Sequence, residues 1–239
     1  MVRTRNPLNI GAAARAMSNF GLMSLRVVNP YEPAFREARS AVGAASLLAS
    51  AQQFQSVAEA VADCTLVVGT TAVGHRELHH TVRRLDHGTR LIKKELHLGR
   101  VALLFGSEKV GLSNQDLSHC HWLMRIPTRE EHSSMNLGQA IAICLYELAR
   151  GYFDHKLKAA STSEKSMRAD AAELERLTAL LLESLRNSGY LKPNSASATE
   201  VKVRRLIRRL NLPAADAEFL LGMFRQIAWK TRSGAGSAG

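Results

Sequence analysis

Aromatic side chains are scarce in this sequence, at 5% of residues, so alanine, leucine and valine must fill most of any core. Cysteine is scarcer: Cys64, Cys120 and Cys144 are odd in number, far apart, and form no CxxC pair. That excludes a disulfide framework and leaves reduced thiols, the pattern of a cytoplasmic protein. His119 and His121 flank Cys120, but no further ligands stand at zinc-site spacing, so no metal is expected. No apolar run approaches the roughly 18 residues of a membrane span, and no signal-peptide core opens the chain. A soluble protein with no membrane partner is expected. Acidic residues are outnumbered, 21 against 32 Lys plus Arg, for a net charge of +11. That balance favours a polyanionic partner, because lysine and arginine contacts to phosphate dominate non-specific nucleic-acid affinity.

What is present is a chain of 239 residues, 46% hydrophobic, enough for one generous domain and a smaller appendage. Residues 10–20 carry apolar side chains at helical spacing, with Asn9 as the expected N-cap and Gly21 as the stop. Leu25–Val28 reads as a short strand, and 36–50 and 55–63 read as helices. Thr65–Thr70, Val101–Gly106 and Trp122–Ile126 are continuous apolar runs ending in polar turns, as buried parallel strands do. A helix from about Asn136 to Phe153 follows. Strands alternating with helices predict an α/β fold, a parallel sheet with helices on both faces.

The character changes after about Asp154. Residues 156–170 read as a linker, 171–232 as a small helical C-terminal extension, and 233–239 as a disordered tail. The helices expected there are 171–187, 199–210 and 214–230. From Lys192 to Arg232 there are nine Lys/Arg and three Asp/Glu, a net of +6. In the middle helix Val203, Leu206, Ile207 and Leu210 form an apolar stripe. Lys202, Arg205, Arg208 and Arg209 are placed round the other side as candidate RNA-binding residues.

Three polar patches interrupt the apolar pattern where strand or loop gives way to helix, the position at which α/β proteins hold ligands. They are Asn9-Ile10-Gly11-Ala12-Ala13-Ala14-Arg15, Phe105 to Ser113, and Ser133-Ser134-Met135-Asn136. In the second, Gly106-x4-Gly111-Leu112-Ser113 has a leucine where a P-loop needs lysine, which excludes an ATPase of that kind. The Gly-x-Gly-x-x-Gly dinucleotide fingerprint is absent. No Gly-x-Ser-x-Gly elbow surrounds Ser134, so a serine hydrolase is excluded as well. A glycine ending a buried strand still lets a ligand approach the backbone, and Ser113 fits the N-cap of a short helix.

Taken in order, the three patches resemble the motifs of the SpoU (TrmH) branch of the SPOUT RNA methyltransferases. Asn9-x-Gly11-x3-Arg15 is similar to the first motif, Phe105-Gly106-Ser107-Glu108-x2-Gly111-Leu112-Ser113 to the second, and Ser134-Met135-Asn136 to the third. The resemblance covers residues 1 to about 155. Leu185–Pro193, Arg204-Arg205-Leu206 and Leu221–Trp229 are similar to the extension of TrmJ-type tRNA methyltransferases. The resemblance implies a sheet whose C-terminal part is threaded into a trefoil knot, which general topology rules would have excluded. It implies methylation of a ribose 2′-hydroxyl of cytidine or uridine in the tRNA anticodon loop. It also implies S-adenosylmethionine as cofactor and a homodimer formed through the knot region. Carried over by motif, the cofactor contacts are Thr70, Thr71, Ala72, Gly106, Ile126, Ser133, Ser134 and Met135. The implied catalytic group is Arg15 with Asn9, Glu108, Ser134 and Asn136. Arginine is always protonated, so Arg15 is read as a clamp on an RNA phosphate that orients the hydroxyl.

The core motifs permit an rRNA substrate equally, and the extension favours tRNA. A non-catalytic RNA-binding relic would be expected to have lost Arg15 or the Ser134/Asn136 pair. One departure stands out. Family members carry a complete strand ahead of the first motif, and here only Met1-Val2-Arg3-Thr4 precede Arg5-Asn6-Pro7. A shortened strand and an open sheet edge are therefore expected.

Overall fold

The computed structural model describes residues 1–38, 43–72, 79–150, 168–191 and 196–235. Two parallel sheets run through the first half: β1 (Arg26–Val28) beside β2 (Gln52–Phe54), and a four-stranded sheet ordered β4-β6-β3-β5. In the latter, β3 is Leu66–Thr70, β4 Val82–Arg84, β5 Val101–Leu104 and β6 Trp122–Arg125. The open edge expected of the short N-terminus is not there. The Val2 N–H donates to the Phe105 carbonyl (2.8 Å), the Arg3 N–H to Val28 O (2.8 Å), and the Val28 N–H to Met1 O (2.9 Å). Val2, fully buried, thus splices the two sheets, because bonding on both sides needs only one residue in register.

Alternation along the strands sends neighbouring side chains to opposite faces. Leu66, Val68 and Met124 enter a cluster with Ile10, Phe35, Leu47 and Ile141. Val67 and Leu123 enter another with Val57, Leu117 and Ala171. The first face is covered by α1 (Pro7–Asn19), α2 (Glu32–Ala38), α3 (Ala45–Ala49), α5 (Leu85–Glu95) and α7 (Leu137–Ala149). The second is covered by α4 (Val57–Ala60) and α6 (Asn114–Leu117). The α/β arrangement expected from the strand–helix alternation is therefore present.

Several boundaries differ from the sequence expectation. Helix α1 starts at Pro7 with Asn6 as N-cap, its side chain accepting from the Leu8 N–H, because proline's fixed φ and missing N–H suit the first helical position. Asn9 is therefore inside the helix, not its cap. The region 36–50 is not one helix: α2 and α3 flank Gly43, whose φ of +82° breaks helical geometry. Residues 39–42 of that expected helix, and 151–153 of the one after Asn136, lie outside the described residues. Strands β2 and β4 and helix α5 were not anticipated; both strands are three residues long and largely exposed, with no buried alternation to announce them.

Beyond Arg168 come α8 (Ala171–Asn187), α9 (Ala196–Leu210) and α10 (Ala214–Ala235) around their own cluster of Leu174, Leu177, Ile207, Ala217 and Leu221. Helix α10 runs three residues past the expected start of the tail, and most of the expected linker lies outside the described residues. These helices are tied to the α/β part of the chain: the Ala171 N–H donates to Cys64 O and the Ala172 N–H to Ala62 O, each at 2.9 Å.

Helix α9 corrects one expected RNA contact. Arg208 is 1% exposed, donating to both Glu175 (3.2 Å) and the Ala171 carbonyl (3.2 Å), while Leu206 and Leu210 are 45% and 50% exposed. The inward stripe is Val203, Arg204, Ile207 and Arg208, rotated from the expected one because Glu175 on α8 supplies a counter-charge. Arg208 is a structural residue and cannot touch RNA there.

Candidate active site

The ends of three neighbouring strands form the platform. Thr70 Oγ1 donates to Leu104 O (2.8 Å), and the Thr71 N–H donates to Met124 O (3.0 Å), tying the end of β3 to β5 and β6. Thr70–Ala72, Gly106 and Ile126 consequently emerge along one sheet edge. Gly106 is buried, and a Cβ there would overlap the backbone of Gly111 and Leu112. The loop after β5 therefore folds back tightly on itself, helped by Gly111 at φ +67° and by a Ser113–Asp116 capping box that starts α6. Ser113 is the N-cap that its sequence context indicated.

Glu108 on this loop holds the start of α1. Its carboxylate accepts the backbone N–H groups of Arg5 and Asn6 and the side-chain amide of Asn9, all at 3.2 Å. Partial burial works to raise its pKa, but the sum of these donors holds it below the ordinary carboxylate value. Asn9 in turn accepts from Asn136 Nδ2 at 2.8 Å, and Asn136 Oδ1 accepts the Gln139 N–H (3.2 Å) as N-cap of α7. One hydrogen-bonded chain, Glu108–Asn9–Asn136, joins all three polar patches. Helices α1 and α7 come close enough for this because Gly138 faces Ala12; a Cβ on Gly138 would lie 2.7 Å from that of Ala12.

Ser133 and Met135 are half-buried, and Ser134 is exposed, in the loop entering α7. Thr128 Oγ1 donates to Ser133 O (3.3 Å) and closes that loop. Arg15 lies elsewhere on α1. It is exposed, about 9 Å along the helix axis from Asn9 by helical rise, with its guanidinium against Gly43. On α9, Lys202 and Arg209 are exposed and Arg205 half-exposed.

His119, Cys120 and His121 are buried and structural. His121 Nδ1 accepts the Val67 N–H (3.1 Å), and burial, with Arg208 nearby, pushes its pKa down to about 3. His119 is held down to about 3 by burial and by Arg204 and Arg208, so its 3.8 Å approach to Glu175 is no ion pair at neutral pH. Among the described residues, no cluster of His, Cys, Asp or Glu is arranged to hold a metal, and no helix is long and apolar enough to cross a membrane.

The arrangement offers backbone groups and small hydroxyls at the strand ends and a rigid amide–carboxylate brace. The chain as a whole is similar to known RNA methyltransferases. The model of the SpoU rRNA Methylase family matches residues 1–146. The tRNA (cytidine/uridine-2′-O-)-methyltransferase TrmJ of Sodalis glossinidius is 33% identical over 228 residues, 95% of this chain and 89% of that protein. The enzyme of the same name from Pectobacterium atrosepticum is 32% identical, over 95% of this chain and 94% of its own length. The crystal structure of TrmJ from Z. mobilis ZM4 superposes with a TM-score of 0.81 at 31% identity, covering 95% of this chain and 96% of that one. With its three motifs hydrogen-bonded at one sheet edge, the chain belongs to the SpoU methylase family.

Proposed function

We propose that the protein methylates the ribose 2′-hydroxyl of cytidine or uridine in a tRNA anticodon loop, with S-adenosylmethionine as methyl donor. The Glu108–Asn9–Asn136 chain carries the reading, because it holds three distant segments at the edge where the strands β3, β5 and β6 end. Similarity to tRNA enzymes over 95% of the chain, extension included, supports tRNA over rRNA. The residues fit the cofactor: Gly106 leaves backbone accessible beside a tight loop, and Thr70–Ala72, Ile126 and Ser133–Met135 line the same edge. When bound, the sulfonium supplies an already activated methyl group. The protein's part is positioning. Arg15 grips an RNA phosphate through its fixed fork of donors, which aligns the hydroxyl and eases loss of its proton; a guanidinium cannot accept that proton itself. Asn9, Glu108 and Asn136 keep α1 and α7 in register around it, and Ser134 faces the same opening.

In this reading residues 1–155 form the methyltransferase domain with its trefoil knot, and the basic helices from 171 onward form an RNA-binding extension in a cytoplasmic enzyme. Leu8 on α1 and Tyr146 on α7, 80% and 55% exposed, provide the apolar surface for a homodimer. Transfer of labelled methyl groups to total tRNA and to rRNA, followed by nucleoside analysis, tests the function. Label in a 2′-O-methylpyrimidine of tRNA is expected; label in rRNA alone overturns the substrate.

A further inference from the structure

A second opening lies along the strand ends, lined by neither Arg15 nor the residues assigned to the cofactor. Val2 bonds Phe105, just past β5, and Val28 at the end of β1, while Val28 is in register with Phe54 on β2. Arg3, Asn29 and Gln55 therefore leave the sheets at the edge where Gly106 does. With the start of α4 and with α6 they border a cleft of about 190 Å³. Sites for drug-sized ligands run to about 300–1,000 Å³ and one water takes about 30 Å³, so the space suits a single small ring.

The cleft carries no net charge. Arg3 is committed through both terminal nitrogens to Asp116, which also accepts the Ser113 N–H and hydroxyl, each at 2.7 Å. A phosphate entering here would meet that carboxylate and be repelled. His119 at the back is kept neutral by burial, so its ring brings one donor and one acceptor. Val28 and Val57, both buried, supply an apolar wall. The rim is polar: the exposed amides of Gln55 and Gln115, and that of Asn29, which donates to the Gln55 carbonyl (2.6 Å). Ser56 Oγ accepts the Glu59 N–H (3.2 Å) as N-cap of α4 and keeps its own proton to donate. Arg3 and Asn29 both adopt left-handed backbone, at φ +51° and +44°, a conformation that in residues other than glycine clusters at ligand sites. An apolar wall with neutral donors and acceptors round the edge matches an unstacked nucleobase, and Asn and Gln amides are side chains that pair with base edges.

We propose that this cleft receives one unpaired base of the RNA substrate, a neighbour of the methylated nucleotide, and so anchors the loop through a base. The identity of the RNA rests on the tRNA methyltransferase reading. The cleft takes neither the methylated nucleotide itself nor a phosphate. Its place follows from the chain: Arg3 stands two residues before Arg5, whose N–H is bonded to Glu108, so cleft and brace are about 7 Å apart along the backbone. A neighbouring base can reach the cleft while the reacting hydroxyl stays at the strand ends.

Methyl transfer by the full chain to tRNA transcripts tests this, with one abasic nucleotide placed at each anticodon-loop position in turn. Gln55→Ala with Gln115→Ala should raise KM for intact tRNA about tenfold and leave kcat nearly unchanged, the loss of one base contact. One abasic position beside the target should raise KM by the same factor for the wild type and add nothing for the variant, because both remove a single contact. The slope of log affinity against log salt should stay at its wild-type value, since no phosphate contact is lost. Gln53→Ala, exposed on β2 and outside the cleft, should behave as the wild type. Thermal melts of the variants check that the fold is intact. A wild-type KM in the double variant, losses that add at every loop position, or a salt slope smaller by about one would overturn the cleft's assignment. If the wild type transfers no methyl group to tRNA, the functional reading fails instead, and the same comparison made on tRNA binding decides the cleft.

Discussion

Asn9 and Asn136 are 127 residues apart in sequence, yet the Asn136 amide donates to the Asn9 side-chain oxygen at 2.8 Å. Neither residue is a plausible nucleophile or base, and both are committed on their other sides, to Glu108 and to the Gln139 N–H. Their work is to fix the loop before α7 against the start of α1.

Removing this link should slow the reaction more than it weakens the fold. Asn9→Ala is expected to destabilise by about 1–2 kcal/mol, a lost hydrogen bond plus an unpaired neighbour. Methyl transfer should fall by about two orders of magnitude, because misplacement of about 1 Å in a positioning site has that effect. Single-turnover transfer beside a denaturant titration separates the two. Loss of activity no larger than the loss of stability implies would sink the positioning role.

Gly106→Ala should abolish cofactor binding. The new methyl would collide with backbone at Gly111 and Leu112, which cannot swing away as a side-chain tip can. Overpacking of this kind costs about 1–3 kcal/mol and displaces the loop. Calorimetry with S-adenosylmethionine should show no heat for the variant and a clear signal for the parent.

The buried ion pair on α9 gives a stability test. Glu175→Gln leaves Arg204 and Arg208 without their shared carboxylate, and breaking a buried pair from one side costs about 3–5 kcal/mol. Were Arg208 a solvated RNA contact, the same change would cost next to nothing. Urea unfolding followed by near-ultraviolet circular dichroism measures the loss of stability.

What the sequence disclosed and what it hid divide along physical lines. Short polar patches were readable: those holding Gly106, Glu108, Ser134 and Asn136 stand out against the apolar pattern within a few residues, and it is their resemblance to family motifs that implied a role for each. The α/β order followed from apolar runs. Facts that depend on a distant partner were hidden. Arg208 reads as solvated until Glu175, 33 residues away, supplies a counter-charge. Val2 reads as a remnant until Val28 and Phe105 bond it on both sides. Pro7 was the available signal for the true start of α1, since proline favours the first helical position. The inward turn of Arg204 and Arg208 was also legible in part: they follow Val203 and Ile207 at the same four-residue spacing.

Acid should loosen the junction before it affects most surface groups. His119 and His121 have folded-state values near 3, below the ordinary 6.5 of an unfolded chain. Above pH 6.5 both states are neutral and these residues add no pH dependence. As pH falls from 6.5 towards 3, the unfolded chain takes up protons that the native state refuses, so stability drops, by up to about 1.4 kcal/mol per pH unit for each histidine. His121→Asn, which offers an acceptor to the Val67 N–H, should flatten the slope between pH 5 and 6.5 in urea unfolding.

Arg15 carries the sharpest prediction. It stands on α1 about 9 Å along the helix axis from the Asn9 brace, with its guanidinium against Gly43. Arg15→Ala should keep S-adenosylmethionine binding near that of the parent while removing methyl transfer. Arg15→Lys keeps one positive charge but loses the two-pronged grip on a phosphate, so it should recover tRNA affinity better than turnover. If Arg15→Ala still turns over at a near-normal rate, the hydroxyl is oriented by some other group and the phosphate clamp is wrong. If both variants lose cofactor binding, Arg15 acts on the cofactor edge and not on RNA.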